Sequence, residues 1–434
     1  MSKTRRDFLR AGTATLAWSM LPTHTHSANE TIRLAVVGLH GRGKDHIRSF
    51  SALPNVEIIA LCDVDEAVLN QVADECKAYL RQPVKQYVDY RKMLEDKEID
   101  AISIATPNHW HALMGILACQ AGKDAYVEKP CSHNLFEGRQ LVAAQQKYNR
   151  IVAHGTQSRS CEALQEAIQL LRDGYLGEVY YAKGLCYKWR DTIGRTPEVP
   201  VPDGVHYDLW TGPAAEQAFS PNRFHYNWHW QWAYGNGDMG NQGVHEMDVA
   251  RWGLGVEWPD VVSATGGHFM FDDDQQTPNM LVASFQFKAE RKMLGFEVRH
   301  WHTNNELGEI NGNDRNVVGC IFYGSEGFMT THGFDRGYQT YLGTKREKGK
   351  GRRSGETHFQ NFIDAVRSRK QEDLNAPIRE GHLSAGLIHI ANASHMLERT
   401  LHFDRNEERV IEDQDANTLL HGRYRAPYSV PETI

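Results

Sequence analysis

"TIRLAVVGLHGRGKDHIRSF", residues 31–50, passes from a β-branched apolar run through a glycine turn into a helical pattern. Ile32 to Val37 reads as a buried strand, and Ile47 and Phe50 mark the apolar face of the helix. Gly38, Gly41 and Gly43 occupy the turn. Glycines there let the backbone bend sharply and approach a pyrophosphate, whose charge sits at the helix N-terminus. The spacing departs from GxGxxG, because His40 stands at the second glycine position. The candidate phosphate loop is therefore Gly38, His40, Gly41, Arg42 and Gly43. An ordinary strand–helix turn shows the same local pattern, so the flanking sequence decides.

A second strand, "VEIIALCD", ends at Asp63, about 25 residues after Gly38. An acid there accepts hydrogen bonds from adenosine ribose hydroxyls and repels a 2′-phosphate, which favours NAD over NADP. Its alternative role is to cap the next helix, for which Asp65 competes. Val68, Val72, Cys76 and Leu80 then recur four apart on one helix face. "IDAISIA" is a strand, "HALMGILACQAG" a helix, "DAYVEKP" a strand, and "RIVAHGTQ" closes the series after one more helix. Strands alternating with helices predict an α/β fold, a Rossmann-type doubly wound parallel sheet over residues 30–157.

Ligands of such sheets lie beyond the carboxyl ends of the strands. Three polar clusters fall there: Thr106-Pro107-Asn108-His109, with His111 close behind; Glu128-Lys129-Pro130; and Gly155-Thr156-Gln157. The cofactor-side candidates are thus Thr106, Asn108, His109, His111, Glu128, Lys129 and Gln157, with Asp63 and the glycine loop. Lys129 is the most informative. Beside a nicotinamide it could hold a substrate hydroxyl and tune its proton; the plainer alternative is a surface lysine paired with Glu128. Pro130 leaves a cis Lys129-Pro130 bond open.

"ATPNHWHA" and "EKP", in register with the glycine turn and Asp63, resemble the glucose–fructose oxidoreductase/inositol dehydrogenase (Gfo/Idh/MocA) family of sugar oxidoreductases. The resemblance is strong through residue 155 and returns in "GDMGNQGVHEMDVARW" and "HFQNFIDAVRSRK". It implies a second, α+β domain over residues 158–434. That domain carries a large, mostly antiparallel sheet that forms the substrate pocket and often an oligomer contact. Strand candidates are "VYYAKGLCY", "VVSATGGHFMF", "NMLVASFQFK" and "VVGCIFYGSEGFMTT"; Lys345 to Gly355 reads as a solvated loop. In the family the EKP lysine works with an aspartate and a histidine four apart, which puts both on one helix face. Here His245 matches the histidine and Asn241 replaces the aspartate. Asn241 can bond a sugar hydroxyl or orient His245 but cannot act as a base. The catalytic candidates implied are Lys129, His245 and Asn241, with His245 taking the hydroxyl proton while Lys129 positions and polarises the oxygen. The alternative for His245 is a helix histidine satisfied by Asp248.

"RFHYNWHWQWAYGNGDMG", residues 223–240, gathers Arg223, Tyr226, Trp228 and Trp230. Aromatic faces stack on sugar C–H faces, and Arg and Asn bind hydroxyls; core packing is the competing reading. With Lys188, Asn241 and His245 these are the substrate-side candidates, and Arg190 is a weaker one. The pairs His109/His111, His225/His229 and His300/His302 lack third and fourth ligands at recognisable spacing, so no metal is expected.

"MSKTRRDFLRAG", residues 1–12, has the pattern of a twin-arginine export signal. The apolar stretch Ala11 to Leu21 is too short to span a bilayer. Residues 1–28 are expected to be a leader, with the cleavage point open, the twin-arginine machinery as partner and the periplasm as destination. Removing them takes away four cations and one anion, which moves the net charge from -7 to near -10 and disfavours nucleic acid as a partner. The seven cysteines show no paired spacing and suit buried free thiols. The expected activity is NAD-dependent oxidation of a hydroxyl on a sugar, polyol or glycoside, by a homo-oligomer that recycles a tightly held cofactor. A twin-arginine route permits that cofactor to be loaded before export. The alternatives are glycoside hydrolysis through transient oxidation and non-catalytic sugar binding.

Overall fold

The opening strand–turn–helix is the centre of a six-stranded parallel sheet. In the computed structural model, which describes residues 31–302, 316–333 and 337–434, its strands are β1 (Ile32–Val37), β2 (Val56–Cys62), β3 (Lys85–Tyr87), β4 (Ala101–Ile104), β5 (Asp124–Val127) and β6 (Val152–His154). The leader expectation lies outside the described residues. Helices α1 (Arg42–Ser51), α2 (Glu66–Cys76), α3 (Tyr90–Leu94), α4 (Asn108–Gln120) and α5 (Leu135–Tyr148) alternate with the strands. The strand order is β3-β2-β1-β4-β5-β6. It reverses between β1 and β4, so their carboxyl ends flank the point where a crevice opens. β4 and β5 are buried at every residue, as strands covered on both faces must be.

Helix α6 (Glu162–Arg172) leads to a ten-stranded sheet. Its strands are β7 (Val179–Lys188), β8 (Val261–Gly267), β9 (Met280–Phe287), β10 (Lys292–His300), β11 (Val317–Gly324), β12 (Gly327–His332), β13 (Gly337–Leu342), β14 (Glu347–Arg353), β15 (Leu401–Asp404) and β16 (Arg409–Val410). The order is β14-β13-β12-β11-β7-β10-β9-β8-β15-β16. Only β7 and β10 pair in parallel. Between β7 and β8 lie α7 (Tyr207–Thr211), α8 (Gly237–Asn241) and α9 (Gly243–Leu254). Alternation divides the sheet faces: Ala182 and Cys186 of β7 meet the helices, while Leu185 and Tyr187 cluster with Val317 and Ile321 on the other side.

Three sequence expectations change. The run Lys345 to Gly355 is not a loop through its length, because it contains edge strand β14. Its burial pattern is almost wholly exposed, so no apolar alternation betrays it; lysines and arginines on an edge keep it from pairing with other chains. "VVGCIFYGSEGFMTT" is two strands, β11 and β12, turned at Ser325–Glu326. Helix α10 (His358–Ser368), late in the chain, packs Phe362, Ile363 and Val366 into one cluster with Ile32, Leu34 and Phe50 of the first sheet. The chain boundary at 157/158 is therefore not a boundary in space. Helices α11 (Ile378–Met396) and α12 (Gln414–His421) complete the fold. Among the described residues no helix is long and apolar enough to cross a membrane.

Candidate active site

A cavity of about 320 Å³ opens at the switch point, between the glycine turn and the segment 224–241. Gly38 has φ +83°, and a Cβ there would stand 2.6 Å from the Ala105 carbonyl oxygen, so only glycine fits. At Gly41, which caps α1, a Cβ would meet nothing within 4 Å. The backbone there faces open space, as close approach by a diphosphate requires. Gly43 packs on the Gly38 carbonyl. Asp65 caps α2 through the amides of Ala67 and Val68, which leaves Asp63 free of that role. Asp63 accepts from the Leu39 amide at 2.7 Å and the Asp65 amide at 3.0 Å. Burial pushes its carboxyl up to about 6 against those bonds. His40 stacks on His225 at 3.9 Å, and His225 Nε2 lies 3.0 Å from Asp65. An open glycine turn with a carboxylate at the end of β2 fits NAD.

Glu128, at the end of β5, ties the turn to the sheet. It receives Arg42 Nε at 2.9 Å, His46 Nε2 at 3.1 Å and the Lys129 amide at 3.0 Å. Burial disfavours its charge, but Arg42 and His46 hold the carboxyl well below the usual range. Gln157, expected on the cofactor side, stands behind Glu128 at 3.4 Å and outside the cavity wall. Thr106, Asn108 and His111 line the cavity. His111 spans the carbonyl oxygens of Pro130 (2.6 Å) and Thr106 (2.7 Å), while Asn108 donates to Asn236 at 3.1 Å. His109 does not face the cofactor side: it is turned by a bond to the Trp210 carbonyl (2.9 Å) toward a second cavity. Adjacent helical positions point apart, which separates it from Asn108.

Lys129, after which a cis bond leads to Pro130, reaches across the cleft and donates from Nζ to the Asn241 carbonyl oxygen at 2.6 Å. Burial draws its pKa down, partly opposed by Glu128. The Asn241 carboxamide donates to Asp238 Oδ1 at 3.3 Å. Asp238 is buried and also holds Arg190 by two bonds (2.5 and 2.8 Å) and His300 Nε2 at 2.8 Å. Burial opposes its charge, yet Arg190 and His300 keep its carboxyl well below the usual range. Sequence reasoning passed over Asp238, although it lies one helical turn before Asn241 in "GDMGN". His245 lies within electrostatic reach of Lys129 but is not part of the cavity wall. Burial first, then Lys129, lowers it to about 3, so it is a neutral imidazole. Asp248 does not satisfy it, being held by Arg159 (2.8 and 3.0 Å) and Ser384 (2.6 Å).

Of the aromatic segment, Tyr226, Trp228 and His229 line the cavity with Asn241. Trp230 does not: it is buried beneath Arg190, 4.6 Å from its ring, with His300 against its edge. Arg223 is drawn away by Glu198 (3.2 Å) and the Ala218 carbonyl (2.7 Å). Lys188 bonds Gln242 at 3.2 Å, outside the wall. Among the described residues no three His, Cys, Asp or Glu side chains converge on a possible metal site.

This geometry defines a two-domain protein that holds a dinucleotide at a switch point and closes the cleft with a second sheet domain. Residues 32–156 match the NAD-binding Rossmann fold of the Gfo/Idh/MocA oxidoreductases, and residues 173–278 and 330–430 match that family's C-terminal alpha/beta domain. The chain belongs to this family. It is 32% identical over 164 residues to a glycosyl hydrolase family 109 protein of Saccharopolyspora erythraea, which is 36% of this chain and 35% of that protein. It is 28% identical over 159 residues to the alpha-N-acetylgalactosaminidase of Shewanella oneidensis, 36% and 34% of the two chains. The matches thus span about a third of these curated relatives. Levoglucosan dehydrogenase, solved with NADH and L-sorbose, shares the fold with TM-score 0.66 at 16% identity, over 86% of this chain and 99% of that one.

Proposed function

We propose that the protein is an NAD-dependent oxidoreductase acting on a hydroxyl of a sugar, polyol or glycoside. The observation that carries this reading is the single cavity that joins Asp63 and the glycine turn to Lys129 and Asn241. Bound NAD supplies the hydride acceptor. Lys129 holds the substrate oxygen with the N–H groups it does not spend on Asn241 and stabilises negative charge developing there. His245, neutral and set behind the wall of the empty cleft, would take the hydroxyl proton on coming into reach of bound substrate. The Asn241 carboxamide is turned toward Asp238, and its carbonyl aims Lys129. Lys129→Met and His245→Ala are each expected to slow single-turnover hydride transfer by orders of magnitude; two variants of wild-type rate would overturn the assignment.

Hydrolysis through transient oxidation is the second reading, favoured by the glycosidase names of the curated relatives. In it, oxidation acidifies a neighbouring C–H, the aglycone is eliminated, water adds, and the carbonyl is reduced again with no net redox change. Denaturing the purified protein and assaying released NAD(H), then offering glycosides and free sugars without added cofactor, separates the readings. Aglycone release without net NADH supports hydrolysis. A keto sugar or lactone that needs an external acceptor supports the dehydrogenase. Bound cofactor with no turnover overturns both.

Twin-arginine export to the periplasm, with cofactor loaded beforehand, belongs to the same proposal. It is supported by the leader sequence; the seven cysteines, all free and buried, fit a chain that folds in a reducing compartment before it is exported. A homo-oligomer through the outer face of the second sheet is supported by the stacked pairs Tyr181–Tyr323 and Phe328–Tyr341 there. Cell fractionation and light scattering test these two points.

A further inference from the structure

His229 is missing from the catalytic set, yet it stands in the cavity wall beside Lys129 and Asn241. It follows Trp228 in a short 3-10 turn, Asn227–Trp230. Its main-chain amide and its Nδ1 both meet the Tyr226 carbonyl oxygen. A ring nitrogen facing a carbonyl must carry hydrogen, so Nε2 keeps its lone pair. The ring lies flat on Trp228, with centroids 3.6 Å apart. The turn itself is pinned. Amides of Gln276 and Thr277 donate to the Trp230 carbonyl (2.9 and 3.2 Å), and Gln231 Nε2 reaches the Asp274 carbonyl at 2.7 Å. Nε2 makes no hydrogen bond with any described residue. An oriented lone pair, fixed on a rigid turn and open to the cavity, is an acceptor waiting for a donor.

We propose that His229 Nε2 accepts a hydrogen bond from a substrate hydroxyl, and that the site thereby selects neutral polyhydroxylated sugars over the corresponding sugar acids. This rests on the sugar reading above and names its substrate class. The charged groups near His229 are Lys129, Arg190 and Asp238, and burial before any of them lowers its pKa to about 3. The imidazole therefore offers no second N–H to a carboxylate, while a hydroxyl can donate to it. The cations nearby are committed: Arg190 to Asp238, Arg42 to Glu128, and the N–H groups that Lys129 does not spend on the Asn241 carbonyl to the reacting hydroxyl. A carboxylate placed against Nε2 would sit lone pair to lone pair, desolvated and unpaired.

The test measures binding by calorimetry on NAD(H)-loaded protein. The probes are methyl gluco-, galacto- and mannopyranosides, methyl N-acetylgalactosaminide, the matching uronates, and monodeoxy analogues of any glycoside that binds. Wild type is expected to bind a neutral glycoside about 30-fold or more tighter than its uronate. His229→Ala should weaken that glycoside by about 10- to 50-fold, with bound NADH fluorescence unchanged. His229→Asn, which retains an acceptor oxygen, should recover part of the loss. The gap between wild type and His229→Ala should vanish for one deoxy analogue, the one lacking the hydroxyl that Nε2 holds, and persist for the others. A uniform loss across all analogues, no loss, or uronate binding as tight as neutral overturns this proposal alone. Binding with this pattern but without turnover upholds it while the catalytic reading falls. A wild type that binds no member of the panel overturns both.

Discussion

The two walls of the cleft are built by opposite means. The nucleotide wall is mostly main chain: Gly38 and Gly41 shape it by lacking a Cβ, and Asp63 is fixed by the Leu39 amide 24 residues away. The sugar wall is side chain on side chain. Asp238 gathers Arg190 and His300 across 48 and 62 residues of sequence and bonds Asn241 one turn on. A main-chain wall fails when something is added, and a charge-paired wall fails when something is removed. Lys129 joins the two, with its amide on Glu128 and its ammonium on Asn241.

The largest effect is expected at that seam. Lys129→Met should lower single-turnover oxidation by roughly 10³- to 10⁴-fold while NADH fluorescence titration shows cofactor still bound. If binding falls equally, Lys129 belongs to the nucleotide wall alone. Asp238→Ala comes next. It strands the Arg190 guanidinium beneath the surface, an uncompensated charge costing about 3–5 kcal/mol, which urea unfolding should read. NAD affinity should change far less than sugar affinity. A variant as stable as wild type would mean that the sugar wall is not held by charge.

The glycines sharpen the contrast from the other side. Gly38→Ala should destabilise the apo-protein by more than about 1 kcal/mol, because its positive φ and the Ala105 carbonyl both oppose a Cβ. Gly41→Ala should cost apo stability less than Gly38→Ala, since no atom opposes its Cβ, and weaken NAD by about 10- to 30-fold, because that Cβ enters empty space where phosphate would lie. Equal loss of stability in both would erase the distinction. The smallest effect is a pH dependence. Burial raises the Asp63 carboxyl to about 6, so the ionised acceptor is present above that pH and lost below it. NAD affinity should be full near pH 8 and fall by roughly tenfold between pH 7 and 5, and Asp63→Asn should flatten the profile.

This asymmetry also explains what could be read in advance. The Rossmann half shows itself in sequence because its elements are local: a buried strand, a turn that needs glycine, a carboxylate at the next strand end. The second sheet was visible as a class, yet β14 was hidden because an exposed, charged edge has no hydrophobic period. The sugar side was legible only in part. Trp228, Trp230, Tyr226 and Arg223 share a composition that suggests a pocket, but which side chains face inward is set by distant partners. Glu198 turns Arg223 away, and Arg190 buries Trp230. Asp238 stayed unread, and His229 was weighed only as half of a metal-ligand pair, for the same reason. An aspartate beside methionine and a histidine between tryptophans acquire meaning only once Arg190, His300 and the Tyr226 carbonyl are brought to them.

Helix α10 sets a timetable for this molecule. Arg367 donates to the Pro54 carbonyl oxygen, 313 residues back along the chain, and Phe359 lies against Phe50 and Tyr126. A ribosome finishes the glycine turn early and this helix late, so a growing chain carries a nucleotide half in which α1 and α2 cover that sheet face only in part. Closing so long a loop is slow. A chain truncated before α10 lacks the Phe359, Phe362, Ile363 and Val366 that complete the packing around Phe50 and Tyr126.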